Sequence, residues 1–142
     1  MTLDQLERQG YIKKLPVDAR KVRDALSLAQ RDITTAKSIL QQDSDWAFNI
    51  AYNAILQTLR AYMFSLGYRP DGSNQHVSTV RFAELFLDRD VIIVFDRMRR
   101  KRHSSVYDTA GTISTTEAKT AIITAEEIYN DIKKRITKEG SN

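Results

Sequence analysis

The chain has 142 residues, no cysteine, and 22 basic against 18 acidic side chains, for a formal net charge of +4. That length supports one hydrophobic core and falls short of two ordinary domains. The missing cysteine excludes disulfides, thiolate catalysis and cysteine-ligated metal, and it goes with a reducing compartment. The longest uncharged stretch, Trp46 to Leu59, is interrupted by Asn49, Asn53, Gln57 and Thr58. It reads as an amphipathic core helix, not a membrane span, and no secretory apolar region follows Met1, so a soluble cytoplasmic protein is expected.

Along the chain, Leu3 to Gln9 reads as a short helix with Leu3 and Leu6 inward, or as a loose arm, with Gly10 at its end. Residues 1–16 are set apart as this arm, 17–138 as the helical body and 139–142 as a tail. After Pro16, the residues Val22, Leu26, Ala29, Ile33, Ala36 and Leu40 recur at spacings of three and four, which predicts a long helix with one buried seam. Asp43-Ser44-Asp45 supplies cap chemistry for a second helix from about Asp45 to Leu66. Its apolar residues, Trp46, Phe48, Ile50, Tyr52, Ile55, Leu56, Leu59, Tyr62, Met63 and Phe64, wrap most of the way round, as in a central helix or a dimer helix.

Tyr68 to Asn74, with Pro70 and Gly72, reads as an exposed loop, and a third helix is expected from about His76 to Leu87. Asp88-Arg89-Asp90 precedes the basic helix, which is expected from Val91. Thr109 to Thr116 is small and polar around Gly111. A final helix from about Ser114 to Lys138 carries the seam Ala118, Ala121, Ile122, Ala125, Ile128, Tyr129, Ile132 and Ile136, and Ser114 and Glu117 have capping-box spacing. Both prolines and all five glycines fall between or at the ends of these segments. The fold class predicted is all-α, an up-and-down four-helix bundle with an additional short N-terminal helix.

The stretch Asp96 to Asp108 concentrates the positive charge: Arg97, Arg99, Arg100, Lys101 and Arg102 are five of the 22 basic residues. At roughly 100° per residue from Arg97, the next four cations fall at about 200°, 300°, 40° and 140°, so they encircle the helix axis. Val94, Met98 and Phe95 fall at about 60°, 100° and 160° on the same wheel and mark the inward stripe. Arg102 lies within that stripe. An unpaired guanidinium is too costly to bury, so Arg102 either snorkels to the surface or lines a cleft that receives an anion. Ser104, Ser105 and Tyr107 add hydroxyls beyond it, and together these groups suit a phosphate or carboxylate. A second basic group, Lys13, Lys14, Arg20, Lys21 and Arg23, lies near the start of the chain. Asp96 and Asp108 read as ion-pair partners of the arginines, and His76 as a helix-start or core residue. One histidine beside scattered carboxylates makes no metal site, so neither a metal nor another cofactor is expected.

The long first helix, the segment Asn49-Ile50-Ala51-Tyr52-Asn53-Ala54-Ile55 running on to Phe64-Ser65-Leu66-Gly67-Tyr68-Arg69-Pro70, His76 after the loop, and the closing Arg102-His103-Ser104-Ser105-Val106-Tyr107-Asp108 together resemble a HEPN domain, over Val17 to Lys138. The resemblance implies a four-helix bundle that often dimerises, with an arginine and a histidine at its cleft. Many members of that family are metal-independent ribonucleases, often toxins paired with a nucleotidyltransferase-type antitoxin, and others bind nucleotides or partners without the catalytic motif. The family pattern is an Arg, four to six residues, then a His, commonly with Asn, Asp or His directly after the Arg. Arg97 with His103 satisfies that spacing. Alternatively Arg102 is the motif arginine, His103 its polar neighbour, and Tyr107 stands where the histidine usually does; the wheel favours this second alignment.

The resemblance therefore implies an RNA or nucleotide ligand, a homodimer and a nucleotidyltransferase-like antitoxin as partners. It offers Arg102, His103 and Tyr107 as catalytic candidates. Arg97, Arg99, Arg100, Lys101, Arg102, Ser104 and Ser105 are the anion-binding candidates. Cleavage through the ribose 2′-hydroxyl needs a base, an acid and a cation on the phosphorane. Arginine fills the last role and histidine the first two, whereas a tyrosine with a reference pKa near 10 makes a poor base.

Overall fold

The computed structural model describes residues 1–107, 111 and 113–140, and the side chains among these other than those of 104–107 and 140. The chain begins with α1 (Leu3–Arg8), fixed by a capping box in which the Thr2 hydroxyl accepts from the Gln5 amide at 3.2 Å and the Gln5 side chain accepts from the Thr2 amide at 2.8 Å. A short strand β1 (Ile12–Lys14) follows, then α2 (Ala19–Ile39), capped by Asp18 on the Arg20 amide at 2.9 Å. Asp43 caps α3 (Ser44–Ser65) by accepting from the Trp46 amide at 3.0 Å. Gly67, at φ +85°, supplies the left-handed residue that turns the chain out of α3.

A second short strand, β2 (Tyr68–Pro70), leads to α4 (Gln75–Ala83), α5 (Arg89–Tyr107) and α6 (Thr115–Gly140). At the start of α6, Ser114 and Glu117 make the reciprocal capping bonds that their spacing predicts, at 3.0 and 3.3 Å.

The four long helices α2, α3, α5 and α6 form the bundle, with α3 at its centre in contact with α2, α4, α5, α6 and β2. The density of apolar residues on α3 has this cause: it buries Phe48, Tyr52, Ile55, Leu59, Tyr62 and Met63 against partners on several sides. Asp32 of α2, only 6% exposed, ties these two helices together by accepting from Asn53 at 2.8 Å and from Arg31 at 3.0 Å. Phe95 and Met98 of α5 are buried, as the inward stripe requires, and each such side chain contributes about 1.5–3 kcal/mol of apolar burial. Among the described residues, no helix is long and apolar enough to cross a membrane.

Two expectations differ from the structure. Tyr68–Asn74 is not simply an exposed loop, because Tyr68–Pro70 pairs antiparallel with Ile12–Lys14 in the register Ile12↔Pro70, Lys13↔Arg69, Lys14↔Tyr68. Strands of three residues carry too little alternation to register as a period. The third helix stops at Ala83, not Leu87. The amides of Leu85 and Phe86 each reach back three residues, to Phe82 and Ala83, and the tightened turn breaks the chain before α5 begins at Arg89. Trp46, one of the apolar residues that read as belonging to a central or a dimer helix, is 58% exposed, with Ala47 and Phe48 in the inward positions at that level of α3.

Candidate functional site

The groove at the end of the basic helix is built from two elements, and the loop before α4 sets the first of them. Asp71 donates its amide to the Tyr11 carbonyl at 2.9 Å, and the Ser78 hydroxyl donates to the Asp71 carbonyl at 2.6 Å. Gly72 sits between them at φ +91°, where a Cβ would meet the Gly10 carbonyl oxygen at 3.1 Å, so a side chain there is strained by conformation and crowded by its neighbour. The pinned turn delivers Asn74 as the N-cap of α4, its side chain accepting from the Val77 amide at 3.2 Å. His76 follows as the second residue of that helix. The positive end of the helix dipole therefore faces the groove.

The second element is α5. Its residues Arg99, Arg102 and His103 stand three and four positions apart and so share one side of the helix. With Arg100 they join Asn74 and His76 around an open groove of about 550 Å³. Asp96 lies one turn back and pairs with Arg99 at 3.0 Å and Arg100 at 3.5 Å. Arg102 has no such partner: among the described residues its guanidinium joins no ion pair. It lies instead over the Tyr52 ring, 5.7 Å from the centroid, a contact worth about 0.5–1 kcal/mol in a partly solvated setting.

Tyr52 lies behind the groove, in contact with Arg102 and His76. It is fully buried on α3, tilted against Phe95 with ring centres 5.8 Å apart and stacked with His76 at 5.7 Å. Its hydroxyl is 2.9 Å from His76 Nδ1. Burial pushes the Tyr52 phenol far above its ordinary range, against the opposing pull of Arg102 and Arg99, so it stays protonated. Burial, then the charges of Arg102 and Arg99, hold the His76 imidazole below its usual value of 6.5. The ring is therefore neutral near pH 7. When the phenol donates to Nδ1, the ring hydrogen sits on Nε2 and can serve an anion as donor. When Nδ1 donates to the phenol oxygen, Nε2 is a lone pair able to accept a proton.

The sequence candidates divide between two sides of α5. Arg99, Arg100, Arg102 and His103 line the groove with His76. Arg97 is exposed and, with Lys101, lines a different and smaller groove of about 220 Å³ against α6, where Lys101 pairs with Glu117 at 2.6 Å. The structure thus separates Arg97 from His103. The side chains of Ser104, Ser105 and Tyr107, and Asp108 altogether, lie outside the described residues. Asn74 and Tyr52 are not among the sequence candidates, and His76 reads in sequence as a helix-start or core residue. His76 does open a helix, but the local sequence carries no sign that this end of α4 abuts Arg102. Among the described residues, no three His, Cys, Asp or Glu side chains group as metal ligands would.

Solved structures that share the fold include the following two. The crystal structure of TT1696 from Thermus thermophilus superposes with a TM-score of 0.66 at 15% identity, covering 80% of this chain and 97% of that one. ST0689, described as an archaeal HEPN homologue, superposes with a TM-score of 0.63 at 17% identity, covering 81% of this chain and 97% of that one. No curated protein matches the chain. The model of the HEPN domain matches residues 22–136. That span runs from the first turn of α2 into the last turns of α6 and takes in the whole groove, and the chain belongs to the HEPN domain family.

Proposed function

We propose that the groove binds RNA through its phosphates, with Arg102 as the central contact. The observation that carries this reading is the state of Arg102. Asp96 pairs with Arg99 and Arg100 and offsets one of their two charges, while Arg102 is held in place on an aromatic ring and left without a carboxylate among the described residues. A guanidinium ordered in this way has little further entropy to lose on meeting an anion, and its planar fork suits a phosphate. His76, His103 and the N-terminus of α4 add donors and partial positive charge on the same groove.

A second reading, metal-independent RNA cleavage, is favoured by the presence of two histidines on that groove. Attack of a ribose 2′-hydroxyl on the adjacent phosphorus moves one proton to a base and returns one to the departing 5′-oxygen. His76 and His103 are the groups available for those transfers, with Arg102 on the phosphorane and Tyr107 assisting as a hydrogen-bond donor. A silent module that holds a nucleotide, RNA or a protein partner uses the same cations without the transfers.

Incubation of purified protein with RNA in EDTA distinguishes these outcomes. Cleavage lost in Arg102→Ala supports the enzyme, and salt-sensitive retention of intact RNA supports the binding module. Absence of both would remove the RNA reading altogether. A homodimer belongs to the proposal, supported by the exposed Trp46, Ile93 and Ile123 side chains; a single 16.3 kDa species in light scattering would count against it. Pairing with a nucleotidyltransferase-like antitoxin and a cytoplasmic location rest on the family resemblance.

A further inference from the structure

The N-terminus of α4 divides two grooves. Asn74 and His76 line the first, and Gln75, between them in sequence, lines a second of about 580 Å³. The second groove gathers residues that are distant in sequence: Lys21 and Asp24 from α2, Arg60 and Phe64 from α3, and Arg69 from β2. Three cations face one carboxylate, and among the described residues none of the three cations is in an ion pair. Arg60 lies over the Phe64 ring, 5.8 Å from its centroid. The groove therefore offers both positive charge for a backbone and flat aromatic and guanidinium surfaces for bases.

We infer that a single RNA strand crosses the α4 N-terminus, with one phosphate at Arg102 and the following phosphates at Lys21, Arg60 and Arg69. Two observations favour RNA over an acidic polypeptide. The second groove adjoins the phosphate cleft at the α4 N-terminus, where Asn74 and His76 line one and Gln75 the other, and its cations are interleaved with an aromatic ring. The inference rests on the RNA reading of the first groove and extends it from one contact to a path. It also gives a function to basic residues that lie far from the α5 cluster in sequence.

The test compares a strand of about twelve nucleotides with a dinucleotide, both in EDTA, for wild type and for a Lys21→Gln/Arg60→Gln/Arg69→Gln variant. For the long strand, affinity should fall at least roughly tenfold, and the slope of log K against log salt should shrink by about 2, from three lost contacts at about 0.7 each. Binding of the dinucleotide should be unchanged. Arg69 also donates to the Pro70 carbonyl at 3.4 Å, so a Lys21→Gln/Arg60→Gln variant that leaves β2 intact is measured in parallel, with an expected slope change of about 1.4.

Unaltered long-strand binding in both variants overturns the path while leaving the RNA reading of the first groove in place. Equal losses for the long strand and the dinucleotide also overturn it, because the second groove would not then be a separate contact. A wild type that retains neither RNA brings down the RNA reading and the path together. Polyglutamate that binds wild type but not the double variant, with RNA binding unaffected in both, assigns the groove to an acidic polypeptide and overturns the inference.

Discussion

Replacing Arg102 by alanine tests the site most directly, because the structure sets both what is lost and what is kept. In the free protein the guanidinium gives up its contact with the Tyr52 ring, worth about 0.5–1 kcal/mol at a partly solvated site. Against a folding free energy of roughly 5–15 kcal/mol, that loss leaves the chain folded. In the complex, the variant loses a charge-assisted hydrogen bond to phosphate, about 1.5–3 kcal/mol, so Kd should rise about 10- to 150-fold at 1.4 kcal/mol per decade. The salt slope should fall by about 0.7. Arg97, exposed on the opposite groove, should cost less than about threefold when replaced, as a peripheral phosphate contact would. Fluorescence anisotropy with labelled RNA across a salt series in EDTA measures both. A histidine NMR titration adds an independent readout, because removing Arg102 removes one of the charges that depress His76, and its pKa should move back up. If Arg97→Ala weakens binding more than Arg102→Ala does, the assignment of Arg102 is wrong and Arg97 with His103 is the working pair.

Four further outcomes follow from the same reading of the site. The His76 pKa lies below 6.5 in the fold, so an unfolded chain takes up a proton first as pH falls; His76 therefore contributes stability that is complete above pH 6.5 and declines below it, and His76→Gln should flatten that part of the stability–pH curve. A bound phosphate offsets the charges of Arg102 and Arg99 and raises the same pKa, so RNA affinity should grow as pH drops below 6.5, and more steeply in wild type than in His76→Gln. Tyr52→Phe removes the 2.9 Å bond to His76 at a cost of about 1 kcal/mol; it should lower Tm by about 3 °C and weaken RNA binding, and an unchanged His76 titration in that variant would show that the phenol does not set the ring's state. Tyr107→His introduces a near-neutral titrating group on α5 and should increase RNA cleavage in EDTA from a weak or silent wild type; the gain should vanish in an Arg102→Ala background, and its persistence there would detach Tyr107 from the site.

The long helices were legible because their burial follows a period. The seams of α2 and α6 could be read directly, and the caps at Asp43 and Ser114 fell where side-chain chemistry put them. The inward stripe of α5 was equally legible, and it is the reason Arg102 could be singled out before any fold was known. What escaped the sequence was whatever depends on two distant segments meeting. β1 and β2 are each three residues long and gain meaning only from each other. His76 gains its character from Arg102, Arg99 and Tyr52, none of them a neighbour in the chain. Arg97 and Arg102 belong to the same basic run, yet their separation onto two grooves needed the placement of α4 and α6.

The clasp between β1 and β2 holds in place the turn that carries the α4 N-terminus to the groove. The clasp is bounded by two further backbone bonds, Leu15 to Gly67 and Asp71 to Tyr11, both 2.9 Å, and its residue Ile12 is buried. Its release frees the turn that positions α4, while the helix interfaces of α2, α3 and α6 involve none of these bonds. Two short strands hold less free energy than that interior, so the clasp and the start of α4 form a unit of lower local stability. In hydrogen exchange, the amides of Leu15 and Asp71 should therefore open ahead of those in the middle of α3, and a ligand bridging His76 and Arg102 should slow them selectively. Affinity at Arg102 then depends on how tightly residues 12–14 hold residues 68–70, through a backbone pairing that lies outside the Arg102 groove.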